Sequence, residues 1–253
     1  MSDLSAFSLE GKRFAVTGAN TGIGQGIAVS IARAGGDVVA IGRSSMDETA
    51  KLVAPLGVNF TPVKCDLADV AAAVRMLDGL MAAGPLDGLV NNAGIIRRAD
   101  SVDFTEADWD EVMDVNLKSV FFLCQAYGRN ILGRGGQGRI VNIASLLSFQ
   151  GGIRVPSYTA SKHGVLGITR LLANEWAAKG VNVNAIAPGY IVSNNTEALR
   201  ADADRSEAIL ARIPAGRWGK PDDIGDAAVF LLAPASNYMH GAVIPVDGGW
   251  LAR

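Results

Sequence analysis

The chain has 253 residues, of which 49 % are hydrophobic and 19 % are charged, and its formal net charge at pH 7 is −2. This composition is typical of a folded globular domain and excludes a disordered chain. Lysine and arginine are scattered, so the sequence offers no basic surface for nucleic acid. Its apolar runs are too short to cross a membrane and its first nine residues do not resemble a secretory signal, so we expect a cytoplasmic protein.

Two cysteines, Cys65 and Cys124, and two histidines, His163 and His240, are the residues that would suggest a metal site. None of them has a second ligand at metal-type spacing, so we predict no metal. We expect both cysteines to be buried free thiols, because nothing in the sequence calls for an oxidising compartment.

Short apolar runs alternate with helical patterns along the whole chain. The predicted strands are Arg13–Thr17, Asp37–Ile41, Val58–Lys64, Gly88–Asn91, Arg139–Ala144, Val181–Ala187 and Ala242–Val246. The predicted helices are Ile23–Ala34, Asp47–Pro55, Asp69–Ala83, Glu106–Arg129, Ser157–Lys179 and Asp222–Leu232. This alternation predicts βαβ units with right-handed crossovers. We therefore expect an α/β fold: one Rossmann-type domain over residues 1–253, a three-layer sandwich around a seven-stranded, doubly wound parallel sheet.

Two further features of the chain bear on a ligand site. A polar stretch around residues 190–215 follows the sixth strand, and we interpret it as an inserted loop that shapes a substrate pocket. A glycine-rich turn joins the first strand to the first helix, where backbone N–H groups and the helix dipole favour a pyrophosphate. An ordinary turn is the alternative, but its position favours a nucleotide site. The predicted contacts here are Gly18, Asn20, Thr21, Gly22, Ile23 and Gly24.

The spacing of these glycines, Gly-xxx-Gly-x-Gly, resembles the short-chain dehydrogenase/reductase family. That resemblance implies NAD or NADP as cofactor and further nucleotide contacts where strands end. For Asp66 an equally good interpretation is the N-cap of the next helix. The contacts that the resemblance implies are Asp66, Leu67, Asn92, Ala93, Gly94, Pro188, Gly189 and Ile191.

The end of the second strand bears on the choice between NAD and NADP. An acidic residue there would bind the ribose 2′-hydroxyl and repel a 2′-phosphate. This chain has Gly42 instead, followed by Arg43, which suits a 2′-phosphate or the adenine face. The pattern favours NADP and leaves NAD open.

Tyr158 and Lys162 lie four residues apart in a predicted helix, which places both on one face. We expect the ammonium, together with an oxidised nicotinamide, to lower the pKa of the phenol, so that Tyr158 exchanges a proton with the substrate. Taken alone, a half-buried tyrosine beside a solvated lysine explains the pair as well. The family resemblance also assigns both residues to nucleotide binding.

Two more residues complete the predicted catalytic set. Ser145 ends the fifth strand and is expected to bind the substrate oxygen. Asn116 lies in a predicted helix, where asparagine is unfavourable, and this suggests a kink and a bound water connected to Lys162. With Tyr158 and Lys162 they match, in order and approximate spacing, the family's Asn–Ser–Tyr–Lys set.

The segments Ser145–Pro156, Ile213–Gly219 and Val246–Arg253 resemble the bacterial 2-deoxy-D-gluconate 3-dehydrogenase group, also called 2-dehydro-3-deoxy-D-gluconate 5-dehydrogenases. This resemblance implies a sugar-acid substrate. Arg154 is our first candidate for its carboxylate, because a guanidinium binds carboxylates in a bidentate manner. Arg98 is a weaker candidate, Arg217 is interpreted as structural, and the role of Arg97 stays open. The predicted substrate contacts are Ser145, Gln150, Arg154, Tyr158 and Asn194.

Three alternative functions remain. Gluconate 5-dehydrogenase and 3-ketoacyl-carrier-protein reductase keep the same chemistry, but the reductase needs a basic docking surface that the sequence lacks. A non-catalytic nucleotide-binding protein should lack Tyr158 or Lys162. Family members are commonly tetramers, so we expect a homotetramer that uses apolar faces of Val115–Cys124 and Val165–Trp176, with Trp250. Packing of these helices on their own sheet is the alternative.

Overall fold

The computed structural model describes residues 4–253, apart from the side chain of Asn195. Its seven strands form one parallel sheet in the order β3-β2-β1-β4-β5-β6-β7. The strands are β1 (Arg13–Thr17), β2 (Asp37–Gly42), β3 (Phe60–Lys64), β4 (Gly88–Asn91), β5 (Gly138–Ile143), β6 (Val181–Pro188) and β7 (Val243–Val246). The predicted doubly wound parallel sheet is confirmed.

Helices cover both faces of this sheet. They are α1 (Gly22–Arg33), α2 (Asp47–Val53), α3 (Val70–Ala83), α4 (Glu106–Met113), α5 (Ser119–Gly133), α6 (Pro156–Trp176), α7 (Glu197–Ala201), α8 (Ala203–Arg212) and α9 (Pro221–Leu232). One buried cluster joins α1 and α9 to the sheet, and a second joins α3, α5 and α6 to the opposite face. A parallel sheet buried on both faces explains why its inner strands are almost wholly apolar.

Two long predicted helices differ in form from the observed ones, whereas the ends of the other predicted helices and strands lie within two residues of the observed ends. The predicted helix Glu106–Arg129 is divided by a π-helical turn at Asp114–Lys118, which contains the unfavourable Asn116. The predicted helix Ser157–Lys179 begins one residue earlier, at Pro156, and its last three residues form a 3-10 turn. Proline suits the first turn of a helix, where its missing N–H costs no hydrogen bond.

The polar segment of residues 190–215 folds mainly as helix. It contains a 3-10 turn at Asn194–Thr196 followed by α7 and α8. We refer to residues 190–215 as the insertion. Within residues 4–253, no helix is long and apolar enough to cross a membrane.

Both cysteines are free, but only one is buried. Burial raises the pKa of the Cys124 thiol to about 12. Cys65 is partly exposed, so the expectation that it is buried is wrong. Its position directly after edge strand β3 leaves one side of the residue open.

The winding of the sheet reverses at β1, whose neighbours are β2 and β4. The connections leaving these strands therefore diverge, and a crevice forms at their carboxyl ends. The turns and loops that follow β1, β4, β5 and β6 meet there.

Candidate active site

A cleft of about 450 Å³ lies at these carboxyl ends, within the size range of ligand sites. Every predicted nucleotide contact, from Gly18 to Ile191, lines it, as do Ser145 and Asn194. Among the further lining residues, sequence reasoning missed four that carry a hydroxyl or thiol, which are Ser44, Cys65, Ser193 and Thr196. A hydroxyl or thiol that follows a strand is a weak sequence signal, because many such residues only cap turns.

The glycine turn between β1 and α1 is shaped for close approach. Gly18 and Gly22 have φ of 67° and 57°, in the left-handed region that favours glycine. A Cβ on Gly24 would lie 2.1 Å from the carbonyl oxygen of Gly18, so a side chain there would open the turn. The turn brings the first N–H groups of α1 to the cleft, where they suit a pyrophosphate.

Asn92 and Thr17 hold this turn against the end of β4. The Asn92 Nδ2 donates to the carbonyl oxygens of Thr17 at 2.9 Å and Gly18 at 3.4 Å. The Thr17 hydroxyl accepts the backbone N–H groups of Asn92 and Ala93, both at 3.0 Å. The Asn92 side chain therefore holds the glycine turn in place. Thr17, which does the same through its hydroxyl, is a residue that the sequence reasoning missed.

At the second-strand end, Arg43 and Asp66 face each other across the cleft at 4.0 Å. Both side chains are at least half exposed, so solvent screens their attraction. Helix α3 is capped by Asp69, whose carboxylate accepts the Ala72 N–H at 2.9 Å. Asp69 and not Asp66 is thus the N-cap of α3, so that interpretation of Asp66 is wrong. The contact of Asp66 with a nucleotide stays a prediction.

Tyr158 and Lys162 lie at the inner end of the cleft, on α6. The Lys162 Nζ lies 5.7 Å from the centre of the Tyr158 ring and donates to the Ile143 carbonyl oxygen at 2.7 Å. Burial lowers the pKa of Lys162 to about 8. Burial also raises the pKa of Tyr158, while a hydrogen bond with Ser145 and the charge of Arg98 lower it.

This direction differs from the sequence-based expectation for the phenol. We expected a cation one turn away to lower the pKa of Tyr158, but in this chain the removal of the ring from water outweighs the charges around it. The chain therefore keeps Tyr158 protonated near neutral pH. Lowering of the phenol pKa by an oxidised nicotinamide stays a prediction.

The position of Ser145 is fixed by a residue that the sequence reasoning missed. The Ser148 hydroxyl accepts the Ser145 N–H at 3.2 Å and donates to the Lys162 carbonyl oxygen at 2.7 Å. It thereby ties the end of β5 to the helix that carries Tyr158. The Ser-xx-Ser spacing, a capping-box pattern, was the available signal.

Asn116 lies beneath the cleft, fully buried in the π-helical turn. Its side-chain amide pairs with Ile95, accepting the backbone N–H at 2.8 Å and donating to the carbonyl oxygen at 2.9 Å. The missing side chain of Gly94 leaves space beside it, because a Cβ there would lie 3.3 Å from Asn116 Oδ1 and 3.8 Å from Lys162 Nζ. The predicted helix distortion is present, and the predicted water between these two groups stays a prediction.

The predicted substrate residues are divided between the cleft and its surroundings. Asn194 lines the cleft, but Gln150 and Arg154 do not. Gln150 accepts a hydrogen bond from Trp250, and Arg154 donates to Asp100 at 2.9 Å with more than half of its side chain exposed. Arg154 also has φ of 64°, in the left-handed region that residues other than glycine rarely adopt. The geometry thus favours a clasp between two loops over a carboxylate contact.

The other arginines named in the sequence have different surroundings. Arg97 pairs with Asp108 at 3.5 Å and Glu111 at 2.7 Å, so it ties its loop to α4. Arg217 binds both oxygens of Asp223, at 2.8 and 2.9 Å, and lowers the pKa of that carboxyl to about 2. This contact supports the structural interpretation of Arg217. Across residues 4–253, no cluster of three or more His, Cys, Asp or Glu side chains is arranged to hold a metal.

Comparison with known proteins places this site in a family. Residues 18–251 match the family described as enoyl-(acyl carrier protein) reductase. The chain is 57 % identical to the 2-dehydro-3-deoxy-D-gluconate 5-dehydrogenase of Escherichia coli, over 99 % of both chains. It is 55 % identical to the enzyme of the same name from Bacillus subtilis, over 98 % of both.

Solved structures give the same result. A crystal structure from Agrobacterium tumefaciens with bound NADP, named for a proposed 2-deoxy-D-gluconate 3-dehydrogenase activity, is 64 % identical. Its TM-score is 0.95, and the match covers 98 % of this chain and 99 % of that one. The predicted family and fold are therefore confirmed. The chain belongs to the short-chain dehydrogenase/reductase family of NAD(P)-dependent oxidoreductases.

Proposed function

We propose that this protein interconverts a keto and a hydroxyl group on a sugar acid, as a 2-dehydro-3-deoxy-D-gluconate 5-dehydrogenase, with NAD or NADP. The observation that carries the chemistry is that Ser145, Tyr158 and the buried Lys162 line one cleft, with the Lys162 Nζ 5.7 Å from the centre of the Tyr158 ring. The substrate class rests on relatives that share more than half of their residues with this chain over nearly its full length.

The residues of the cleft fit a dinucleotide. The glycine turn and the N-terminus of α1 would hold the pyrophosphate, and Pro188 and Gly189 would lie beside the nicotinamide. The bound nicotinamide would supply or accept the hydride. No other group in the chain is needed for that transfer.

The protein's own residues manage the proton. In the reducing direction Tyr158 donates its phenolic proton to the substrate oxygen, and in the oxidising direction it accepts a proton from the hydroxyl. Ser145 orients that oxygen through its hydroxyl. With a pKa of about 8, Lys162 is mostly protonated at pH 7, so it stabilises the phenolate that forms. Asn116 holds the loop at Ile95 by a hydrogen bond, and this loop includes Gly94, whose lack of a side chain leaves space next to Lys162.

NADP is the cofactor that we propose as preferred. Gly42 has no carboxylate to repel a 2′-phosphate, and the adjacent Arg43 is available at the cleft to pair with one. Structural relatives from Agrobacterium tumefaciens and Burkholderia cenocepacia contain NADP, which supports this proposal.

The insertion provides the substrate end of the cleft. Asn194 lines the cleft there, and its amide suits the hydroxyls of a sugar acid. Ser193 lies instead beside Gly22 of the glycine turn, and the Thr196 hydroxyl donates to the Ile191 carbonyl oxygen at 2.7 Å within its own loop. Gluconate 5-dehydrogenase activity is the second candidate, because the enzyme of that name from Gluconobacter oxydans is 40 % identical over 98 % of both chains. A carrier-protein reductase is disfavoured by the net charge of −2.

We also propose a cytoplasmic homotetramer. In this chain the predicted interface residues Val115, Leu172, Trp176 and Trp250 are at most 8 % exposed, packed within their own subunit. The faces that we named for the tetramer are therefore largely used internally. Leu171, within the predicted segment Val165–Trp176, is 48 % exposed and is the candidate for a subunit contact on α6. Light scattering coupled to size exclusion measures the assembly directly.

A direct assay tests the proposed activity. Purified protein is mixed with 2-dehydro-3-deoxy-D-gluconate, D-gluconate or a 3-ketoacyl thioester, with each nicotinamide cofactor, and the absorbance of the reduced cofactor is followed. We expect the highest kcat/KM with 2-dehydro-3-deoxy-D-gluconate and NADP. Higher kcat/KM with D-gluconate would favour the second candidate, and turnover of the thioester alone would contradict the proposal.

A further inference from the structure

The last seven residues of the chain form a fixed turn beside the insertion. We call Asp247–Arg253 the C-terminal turn. The Asp247 carboxylate accepts the backbone N–H groups of Gly249 at 2.8 Å and Leu251 at 2.9 Å. A Cβ on Gly249 would lie 3.0 Å from Pro214, so the turn lies directly against the chain that follows α8.

Trp250 is the centre of these contacts. Its side chain is 6 % exposed and forms a buried cluster with Leu146 and Ile213. The Arg212 guanidinium at the end of α8 lies 4.0 Å from the indole centre, within range of a cation–π interaction. One indole therefore connects the insertion to the residue that follows Ser145.

The polar edge of the same indole reaches the loop between Ser145 and Tyr158. Trp250 Nε1 donates to Gln150 Oε1 at 3.1 Å. A buried indole N–H requires an acceptor, and Gln150 supplies one. The Gln150 backbone N–H donates in turn to the Leu146 carbonyl oxygen at 3.1 Å. This explains why Gln150, which we predicted as a substrate contact, lies outside the cleft.

Helix α8 depends on the C-terminal turn because it has little else to hold it. None of its residues is buried. Arg253 donates to the carbonyl oxygens of Arg212 at 3.1 Å and Ala211 at 2.7 Å, at the end of the helix where a cation is favourable. The chain end thus caps α8, and Trp250 fixes its last turn.

We propose that Trp250 is a positioning residue for the sugar-acid reaction, holding the insertion and, through Gln150, the loop of Ser145 in one arrangement. This inference rests on the proposed function for its kinetic consequences. Asn194, the insertion residue that we place at the substrate end of the cleft, precedes α8 in the chain. Trp250 itself does not line the cleft, so its effect is exerted on the substrate end through these neighbours.

Kinetics of Trp250→Phe, Gln150→Leu and the double variant test the proposal. Each single change removes one neutral hydrogen bond, so we expect KM for the sugar acid to rise about fivefold, with the Kd of NADPH within about twofold of wild type. The double variant should be no worse than either single one, because donor and acceptor act as a pair. Trp218→Phe is the matched control, since the ring centres of Trp218 and Tyr190 are 5.6 Å apart and Tyr190 also contacts Trp250.

Hydrogen–deuterium exchange on α8 decides the point without substrate. We expect faster exchange of the α8 amides in Trp250→Phe and in Arg253→Ala than in the Trp218→Phe control. If the wild type does not turn over the sugar acid, the proposed function is wrong. The exchange data still test whether Trp250 and Arg253 hold α8 in place. Unchanged exchange in Trp250→Phe, or additive effects on KM in the double variant, overturns the inference.

Discussion

At the nucleotide end of the cleft, neighbouring strand ends hold one another, whereas at the substrate end the contacts join segments that are distant in sequence. Asn92 and Thr17 bind across the adjacent strands β4 and β1, and the glycine turn packs on itself. The substrate end instead depends on contacts such as Trp250 with Gln150, which are 100 residues apart. The nucleotide end is therefore held by the strands of the sheet, whereas the substrate end is held by contacts among loops and the C-terminal segment.

This difference has a physical consequence for change by mutation. Side chains at strand ends sit on a rigid, buried scaffold, so their positions are determined by the sheet. The insertion has a helix, α8, with no buried residue, and segments of this kind open at low free-energy cost. We therefore expect mutations of residues held directly by the sheet and its long helices to affect kcat and stability strongly. Mutations in the loops of the substrate end should change KM modestly.

Tyr158→Phe should give the largest effect. The substitution removes the phenolic proton donor on α6 and leaves the ring, so kcat should fall by about 10³, within the range for loss of a general acid. Nucleotide affinity should change little. Steady-state kinetics with a fluorescence titration of NADPH measure both. Tyr238→Phe is the control, because Tyr238 is fully exposed and should behave as wild type. Turnover retained in Tyr158→Phe would remove the proposed proton path.

Lys162→Met should raise stability at neutral pH while abolishing activity. The folded-state pKa of Lys162 is about 8, below its ordinary 10.5, so folding penalises the charged form. That penalty is complete below pH 8 and disappears as the pH rises towards the unfolded pKa. After subtracting the lost hydrogen bond to Ile143, the gain is about 2 kcal/mol below pH 8.

Urea denaturation at several pH values measures this gain. The difference between variant and wild type should shrink between pH 8 and pH 10, because wild type becomes more stable as Lys162 loses its proton. Lys179→Met, at an exposed position, should show no such trend. A variant less stable than wild type across the whole range would show that the hydrogen bond of Lys162 to Ile143 and the packing of its side chain outweigh the cost of burying its charge.

Arg43→Ala should weaken NADPH binding about tenfold, the lower end for a charged hydrogen bond at an exposed site, and leave NADH binding nearly unchanged. The side chain is 71 % exposed and its pairing with Asp66 at 4.0 Å is weak, so the guanidinium is available for a phosphate. Titration of both cofactors checks this. Arg33→Ala, which breaks an exposed pair with Asp222, is the control. Equal losses for both cofactors would instead support stacking of Arg43 on adenine.

The same contrast explains which features the sequence predicted. Glycine spacing and Ser145 are local patterns at strand ends, the Tyr158–Lys162 pair is a local pattern on helix α6, and the fold brings all of them to one cleft. Asn116 was recognisable because asparagine is unfavourable inside a helix, and it lies in the π-helical turn. These predictions required local patterns, the order of strands and helices along the chain, and the resemblance to the family.

What the sequence did not predict depends on long-range packing. The partner of Gln150 is Trp250 and that of Arg154 is Asp100, and neither pairing follows from spacing. The direction of the Tyr158 pKa shift was also missed, because burial of the ring depends on the whole cleft. Side chains in loops around a site are thus the least predictable part of it.

Arg154→Ala should give the smallest effect. The sequence made Arg154 the first candidate for the substrate carboxylate, but its side chain is 59 % exposed and pairs with Asp100. An exposed pair of this kind contributes little, so we expect KM for the sugar acid to rise no more than about threefold. Asp100→Ala should have the same effect, since both variants release one clasp. A KM increase of tenfold or more in Arg154→Ala alone, with a neutral sugar unaffected, would restore Arg154 as the carboxylate partner and place the outer loop among the substrate-binding residues.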